Sequence, residues 1–304
     1  MQYTVKLPIN QLPLKTRQGL FARLAGIAYQ NEKKATASAK KYGFTKVQFF
    51  DIGGAQAYLF STKDDLVVAC RGTEPTQWND LKADLSAFKV ESETVGKVHY
   101  GFRTEVDKLW AEMLPAIQKI GAKKSYKADM WYCGHSLGAA MATIVASRCY
   151  RDRTCPDPQE LYTYGSPRVG DKLYVNTLAI KHHRHVNNND IVTRVPMWIM
   201  GYRHDGELHY FNCNGNEKKL RPWGKFKDRM IGLWRGIRNL QVDSFSDHSI
   251  DAYAEHCEKI WPTRLYPLRL FGNKSALSGP KLSQWSTLVG PLKRLPSSCS
   301  CFYI

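Results

Sequence analysis

A serine between two glycines gives the strongest chemical signal in this 304-residue sequence. The run Gly134-His135-Ser136-Leu137-Gly138 fits the pattern G-x-S-x-G, in which a serine hydroxyl acts as a nucleophile. An apolar, strand-like stretch precedes it and an Ala-rich helical stretch follows. So tight a turn leaves no room for a Cβ at either glycine, and the helix N-terminus would direct free N–H groups at the serine. This context predicts a nucleophile elbow, with a simple helix-capping serine as the alternative.

A serine hydroxyl needs a base, and the base needs an acid that orients it. On such an elbow the residues follow one another along the chain as serine, acid and histidine. Asp190 ends a strand-like run and enters an asparagine-rich loop, so it is the preferred acid. Asp171, Asp205 and Asp251 remain alternatives, and a loop-capping turn is the non-catalytic interpretation of Asp190.

The base is sought among nine histidines, of which chain order excludes those before the acid. His204 and His209 lie in residues 202–212, which we predict to form a β-hairpin. His248 directly precedes a predicted helix, so it lies on a loop that can fold back over the sheet. His256 is expected to face outward on that helix. His248 is therefore the preferred base, and a helix-capping histidine without chemistry is the alternative.

The elements that must position these residues follow from hydrophobic periodicity. Helical spacing is found in residues 20–28, 102–120 and 137–151. Strand-like runs occupy residues 47–50, 57–60, 66–70, 130–133, 161–164 and 182–186. A turn at residues 62–65 joins the second and third runs as a hairpin. Strands that then alternate with helices predict an α/β fold with a mostly parallel central sheet flanked by helices.

Composition limits the class of protein. With 43% hydrophobic residues the chain can build a globular core. We expect no transmembrane helix, because no run approaches the roughly 18 apolar residues that a span needs, and no signal peptide, because the N-terminal sequence lacks an apolar core. These features favour a cytoplasmic or membrane-peripheral protein, with non-classical export left open.

Cysteine usage points the same way. Eight cysteines in 304 residues are too few for a disulfide-stapled scaffold. Cys70 and Cys133 lie in predicted buried strands, where a small apolar thiol is common. Cys299 and Cys301 lack a second pair of ligands at zinc spacing. The sequence therefore predicts reduced cysteines and no metal.

The formal net charge of +17 predicts attraction to an anionic partner. Residues 217–240 carry eight basic and two acidic side chains, and no acidic residue follows Glu258. Serine and proline accumulate towards the C-terminus. We therefore predict one domain over residues 1–261, with a basic insert at about 217–241, and a basic extension over residues 262–304.

Within the insert, residues 222–240 form an amphipathic pattern. The apolar side is made of Trp223, Phe226, Met230, Leu233, Trp234, Ile237 and Leu240. The basic side chains are Lys225, Lys227, Arg229, Arg235 and Arg238. This pattern is typical of a helix that binds an anionic lipid surface, and it equally fits a helix packed on the domain. We see no nucleic-acid-binding module, so no nucleic-acid partner is expected.

Six motifs together resemble the class 3 (fungal-type) triacylglycerol lipase family, which has the α/β-hydrolase fold. They are VVACRGTE at 67–74, VHYGF at 98–102, GHSLG at 134–138, TYGSPRVG at 163–170, NDIVTRVP at 189–196 and DH at 247–248. They occur in the family's order, and the resemblance covers roughly residues 16–258. It implies the triad Ser136, Asp190 and His248, the same residues that chain order favours.

The resemblance also implies groups that the residues alone do not reveal. It implies an oxyanion hole formed by the backbone N–H groups of Leu137 and Thr73, to which the Thr73 hydroxyl could add a donor. It implies a short lid after the strand that precedes Thr73. A stripe of apolar side chains at helical spacing, Trp78, Leu81, Leu85 and Phe88, fits such a lid. A helix packed permanently on the surface is the alternative.

These observations predict a serine carboxyl-ester hydrolase that cleaves lipid acyl esters through an acyl-enzyme intermediate, without a cofactor. The expected partners are a lipid ester substrate and an anionic lipid surface, and oligomeric state is left open. A phospholipase A1 or lysophospholipase on the same scaffold is the nearest alternative. A non-catalytic membrane-binding protein is the alternative from another class.

Overall fold

A computed structural model describes residues 7–72, 88–121, 128–156, 158–219 and 247–259. The chain divides into two units, Met1–Pro262 and Thr263–Ile304. All described residues belong to the first unit. The basic extension from residue 262 and most of the basic insert lie outside the described residues, so the predicted domain organisation stays a prediction.

The central sheet has seven strands in the order β1-β2-β3-β6-β7-β9-β11. These strands are β1 (Lys46–Ile52), β2 (Ala55–Ser61), β3 (Asp65–Cys70), β6 (Asp129–His135), β7 (Pro158–Tyr164), β9 (Lys181–Asn187) and β11 (Glu207–Phe211). The first three pair antiparallel, and every pair from β3 to β11 is parallel. The predicted mostly parallel sheet, and the hairpin between β2 and β3, are confirmed.

Helices cover both faces of this sheet. They are α1 (Leu14–Ile27), α2 (Glu32–Lys41), α3 (Tyr100–Gly121), α4 (Leu137–Arg151), α5 (Lys172–Thr177) and α6 (Ile250–Lys259). One buried apolar cluster joins α3, α4 and α5 to the sheet, and a second joins α1, α2 and α6 to the other face. The layers are therefore helix, sheet, helix, the arrangement expected for an α/β fold.

Strand β3 shows why the middle of the sheet is so apolar. Leu66, Val68 and Cys70 pack into the cluster of one face, whereas Val67 and Ala69 pack into the cluster of the other. A strand buried on both faces has no polar alternation, so it appears in the sequence as an unbroken apolar run. Among the described residues, no helix is long and apolar enough to cross a membrane.

A second, smaller sheet has the order β10-β8-β5-β4. Its strands are β4 (Lys89–Glu91), β5 (Lys97–His99), β8 (Gly170–Asp171) and β10 (Tyr202–Arg203). The hairpin predicted over residues 202–212 is wrong. Strand β10 pairs with β8 in the small sheet, whereas β11 lies parallel to β9 at the edge of the large one.

Candidate active site

Ser136 occupies the turn between β6, which ends at His135, and α4, which begins at Leu137. Its backbone has φ 60° and ψ −131°, a conformation that residues other than glycine rarely adopt. A Cβ at Gly134 would lie 2.2 Å from the Gly138 carbonyl oxygen, and one at Gly138 would lie 2.3 Å from the Cys70 carbonyl oxygen. The sequence prediction of a strained, glycine-dependent elbow is confirmed.

The Ser136 hydroxyl is buried and makes no hydrogen bond to the described residues. Its backbone N–H donates to the Tyr164 carbonyl at 3.0 Å, which ties the turn to the end of β7. Gly165, the residue after β7, has φ +59°, and a Cβ there would lie 2.8 Å from Asp190 Oδ2 and 2.9 Å from His248 Nδ1. The serine turn and the Asp190–His248 pair therefore lie close together, beyond the C-terminal ends of β6, β7 and β9.

His248 and Asp190 form a buried hydrogen-bonded pair. Nδ1 of His248 donates to Oδ2 of Asp190 at 2.9 Å. The carboxylate can only accept, so Nδ1 carries the proton and Nε2 of the neutral ring holds the lone pair. The other carboxylate oxygen, Oδ1, accepts from the backbone N–H of Val192 at 2.9 Å. This arrangement fixes the imidazole in the tautomer that a general base requires.

The competing residues lie elsewhere. Asp171 caps α5, accepting from the N–H of Tyr174 at 2.8 Å. Asp205 pairs with His182 at 3.0 Å, and Asp251 is exposed on α6. Of the four acids considered, the structure brings only Asp190 to His248. The expectation that His256 faces outward is wrong, because its ring is half-buried with its centroid 5.5 Å from that of Phe211.

Tyr253 is a site residue that the sequence analysis did not identify. Its hydroxyl donates to Asp190 Oδ2 at 2.6 Å and accepts from the backbone N–H of Asn187 at 2.9 Å. Burial, and then the negative charge of Asp190, raise the pKa of Tyr253 well above its ordinary value, so the phenol stays protonated. The sequence showed Tyr253 only as part of the apolar stripe of α6, which gave no sign of its hydroxyl's role.

A second hydrogen-bonded chain runs beneath the pair. Nε2 of His135 donates to the backbone carbonyl of His248 at 2.7 Å. Burial, and then the charge of His248, lower the pKa of His135 well below its ordinary value. The ring is therefore neutral, and its Nδ1 accepts from the Tyr29 hydroxyl at 2.8 Å. His135, predicted only as part of the elbow, thus also holds the backbone of His248.

The predicted oxyanion residues are described in part. Leu137 is the first residue of α4, where backbone N–H groups have no partner within the helix. Gly72 lies two residues after β3, and a Cβ on it would be 3.1 Å from Ser136 Cβ. Thr73 follows immediately, but it lies outside the described residues.

Three of the four lid candidates, Trp78, Leu81 and Leu85, also lie outside the described residues. The fourth, Phe88, has 69% of its surface exposed. Its neighbour Lys89 donates from Nζ to the Met200 carbonyl at 2.9 Å, a long side-chain bond that links the Phe88 segment to a second exposed apolar segment. We name this set the apolar rim: Phe88, Met197, Trp198, Ile199 and Met200.

Comparison with known proteins gives a consistent result. Residues 67–200 match the sequence profile of the family Lipase (class 3). The chain is 38% identical over 188 residues to the toxin TseL of Vibrio cholerae, in a match that spans 48% of this chain and 28% of the toxin. It is 40% identical over 189 residues to the secreted mono- and diacylglycerol lipase A of Penicillium cyclopium, spanning 61% of this chain and 60% of that one.

Among solved structures, the triacylglyceride lipase of Rhizomucor miehei superposes with a TM-score of 0.57 at 24% identity, over 64% of this chain and 79% of that one. At this identity the likeness shows the fold, which is the α/β-hydrolase fold. The chain thus spans less than two thirds of the length of the curated relatives named above, and most of the length of this structural neighbour.

Proposed function

Because the chain belongs to the class 3 lipase family, we propose that it is a serine carboxyl-ester hydrolase that cleaves lipid acyl esters. One observation carries the proposal. A serine strained to φ 60° in a nucleophile elbow lies beside a buried, hydrogen-bonded Asp190–His248 pair. Backbone strain of this kind persists only where the surrounding structure enforces it, and it is concentrated at functional sites.

In the proposed reaction Ser136 Oγ attacks the ester carbonyl while Nε2 of His248 accepts its proton. The proton then passes to the leaving alcohol as the tetrahedral intermediate collapses to an acyl-enzyme. A water molecule, activated in turn by His248, releases the fatty acid and restores the serine. Asp190 holds the imidazole in the reactive tautomer and stabilises its positive charge, with Tyr253 as its second donor.

We propose that the oxyanion is held by the backbone N–H groups of Leu137 and Thr73. The close approach of Gly72 to Ser136 supports this assignment, because it brings the backbone that leads into Thr73 alongside the nucleophile. A single donor of this kind is worth about 3–4 kcal/mol of transition-state stabilisation. Replacing the Thr73 hydroxyl with a methyl group in Thr73→Val tests whether the side chain contributes beyond the backbone.

A lipid surface is the proposed partner. The apolar rim exposes several large apolar side chains together, with Trp198 at 65% and Ile199 at 72% exposure. Two cations lie behind it, since Arg168 donates to the Pro196 carbonyl and Arg203 to the Trp198 carbonyl, both at 2.8 Å. Apolar side chains backed by arginines fit an anionic membrane surface, so we propose peripheral binding to such membranes.

A phospholipid substrate is a second candidate, favoured by one observation. A groove of about 640 Å³ next to the apolar rim is lined by Arg168, Arg184 and Arg194. Guanidinium groups recognise phosphate in bidentate fashion, which would suit a phospholipase A1 or lysophospholipase. A panel of short soluble esters, triacylglycerols and anionic and neutral phospholipids would separate the two candidates.

The central test is active-site labelling. A fluorophosphonate probe should label Ser136 in the full chain, and Ser136→Ala should lose both labelling and ester hydrolysis. Ser147→Ala is the matched control, because Ser147 is a buried serine on α4, the helix that follows Ser136, and is bonded to Thr94 at 3.1 Å. Hydrolysis retained by Ser136→Ala would overturn the proposal, and a wild-type chain that neither labels nor hydrolyses any ester would favour a non-catalytic membrane-binding protein.

A further inference from the structure

Two histidines and a glutamate meet at the edge of the central sheet, away from the proposed active site. Glu207 of β11 is the register partner of His183 of β9, and His209 lies two residues further along β11. Nδ1 of His183 is 3.0 Å from Nε2 of His209, and Glu207 Oε2 lies 3.8 Å from the first nitrogen and 4.0 Å from the second. Both rings are buried, whereas the Glu207 side chain is 55% exposed.

The hydrogen bonds around the rings decide where their protons lie. Nδ1 of His209 faces Glu217 Oε1 at 2.8 Å and donates to it, since a carboxylate only accepts. The amide of Gln18, whose oxygen and nitrogen exchange places by rotation, lies 3.1 Å from the same nitrogen. The tautomer of His209 that is protonated at Nδ1 therefore directs the lone pair of Nε2 at His183.

His183 repeats this arrangement in a looser form. Its Nε2 is oriented towards Glu160 Oε2 at 3.8 Å and has no hydrogen-bond partner among the described residues. The nearby carboxylate favours a proton on Nε2, which leaves a lone pair on Nδ1. In that tautomer both facing nitrogens, 3.0 Å apart, offer lone pairs to a cation; without an ion, Nδ1–H of His183 can donate to Nε2 of His209 instead.

We propose that His183, His209 and Glu207 bind a divalent metal ion, of which zinc fits the two imidazoles and one carboxylate best. Each histidine is then backed by a carboxylate on its other nitrogen, the arrangement that orients metal-ligating imidazoles in proteins. Lysines balance these outer carboxylates: Lys15 pairs with Glu217, and Lys181 pairs with Glu160 at 2.8 Å. A fourth position is open to water.

The distances suit a tetrahedral site after a small adjustment. Zinc binds imidazole nitrogen at about 2.0–2.1 Å and carboxylate oxygen at about 2.0–2.2 Å, so ligand atoms in a tetrahedron lie about 3.3 Å apart. The two nitrogens are slightly closer than this and the carboxylate slightly further. Because Glu207 is half-exposed, its carboxylate can move inward, and its exposure gives the ion a path from solvent.

The metal would act on the structure of the sheet edge. His183 lies four residues before the end of β9, about 13 Å along the strand at the usual rise per residue, and Asp190 lies beyond that end. Bonds from the metal to His183 of β9 and His209 of β11 would link the edge strand, β11, to β9. It would thereby stiffen the strand that leads to Asp190 without touching the substrate.

Zinc and cobalt titrations of the chelator-treated full chain test the proposal. Equilibrium dialysis with elemental analysis should give one zinc ion per chain, and zinc should raise the melting temperature of the wild type. Cobalt should give visible bands of a tetrahedral nitrogen and oxygen site without a thiolate charge-transfer band. Glu207→Gln, which alters an exposed side chain and should fold normally, is expected to weaken zinc binding about tenfold or more, and His209→Asn about a hundredfold.

Asp205→Asn is the matched control, because Asp205 pairs with His182 on the opposite face of β9 and should leave zinc affinity unchanged. Three results would overturn the proposal: no stoichiometric binding by the wild type, a thiolate band in the cobalt spectrum, or wild-type zinc affinity in Glu207→Gln. If His209→Asn fails to fold, Glu207→Gln decides the matter by itself.

Discussion

Nε2 of His135 donates to the backbone carbonyl of His248 at 2.7 Å, so the residue before the nucleophile holds the residue that we propose as the base. The elbow therefore positions two members of the proposed triad at once. It supplies Ser136 through its strained backbone, and it fixes the backbone of His248 through the side chain next to it.

His135→Phe should therefore weaken catalysis although the ring does not touch the substrate. The change removes the hydrogen bonds that the ring makes to the His248 carbonyl and the Tyr29 hydroxyl, each worth about 0.5–1.5 kcal/mol. We expect a fall in kcat of about tenfold or more with a smaller change in KM. Tyr29→Phe, which removes only the outer bond, should have a weaker effect. Equal kcat values in His135→Phe and the wild type would show that His248 needs no such support.

Tyr253→Phe should lower kcat and leave the fold intact. It removes the hydrogen bond to the Asp190 carboxylate, a kind of bond worth about 1.5–3 kcal/mol, and the one from the Asn187 N–H, without changing the shape of the ring. Stopped assays on a soluble ester would measure the loss. Tyr58→Phe is the control, because Tyr58 donates to the Gln30 carbonyl at 2.7 Å in another part of the core. A similar loss of activity in both variants would indicate a general effect on stability.

Gly165→Ala should separate the Asp190–His248 pair. The new Cβ would lie 2.8 Å from Asp190 Oδ2 and 2.9 Å from His248 Nδ1, at a backbone φ of +59°. Gly54→Ala provides the control, because Gly54 has φ +84° with nothing within 4 Å of a Cβ. It therefore carries the same kind of backbone strain without the clash. We expect ester hydrolysis to fall strongly in Gly165→Ala only, as a fluorogenic ester assay would show.

Asp65 should make stability depend on pH. Burial raises its pKa from 3.8 to about 6, although hydrogen bonds from the Ile9 N–H and the Trp131 indole oppose the shift. The folded state thus prefers the protonated acid, and this contribution to stability is complete below pH 3.8 and lost as the pH rises through about 6. Asp65→Asn cannot ionise. The unfolding free energy of Asp65→Asn minus that of the wild type should therefore increase between pH 3.8 and about pH 6. Urea titrations at a series of pH values measure this difference. A difference that does not change with pH would contradict the prediction.

Binding to a lipid surface should depend on the apolar rim. Replacing Trp198 and Ile199 with serine should reduce binding to vesicles that contain anionic lipid and spare hydrolysis of a short soluble ester. Leu173→Ser is the control, because Leu173 is also exposed, at 55%, but lies on α5. Flotation at low and high salt would separate the apolar part of binding from the charged part. Undiminished binding of the double variant would place the contact in the basic segments instead.

The sequence predicts the elbow well because its determinants are local. The glycines, the strand before them and the helix after them lie within about twenty consecutive residues, and their sterics allow one arrangement. Asp190 and His248 were selected by chain order, because on a nucleophile elbow of this fold class the acid and then the histidine follow the serine. The apolar runs predicted the parallel strands because burial on both faces removes polar alternation.

What the sequence could not reveal depends on partners far apart in the chain. In the sequence, Tyr253 is one residue of the apolar stripe of α6. Only the packing of α6 against the sheet brings its hydroxyl to Asp190. Residues 202–212 have the pattern of a hairpin, but β10 and β11 each pair with a strand formed earlier in the chain. The approach of His183 to His209 depends on that parallel pairing, and no spacing of histidines in the sequence predicts it.

The placement of α6 also has a consequence for synthesis of the protein. Domains begin to fold while the ribosome is still adding residues, starting from the N-terminal end. A nascent chain that has emerged as far as Phe211 contains every described strand and the nucleophile, but neither His248 nor Tyr253. Its sheet can be complete while its serine has no base. The proposed activity would thus switch on only when residues 247–259 emerge and dock against α1, so unfinished chains would be inert towards lipid.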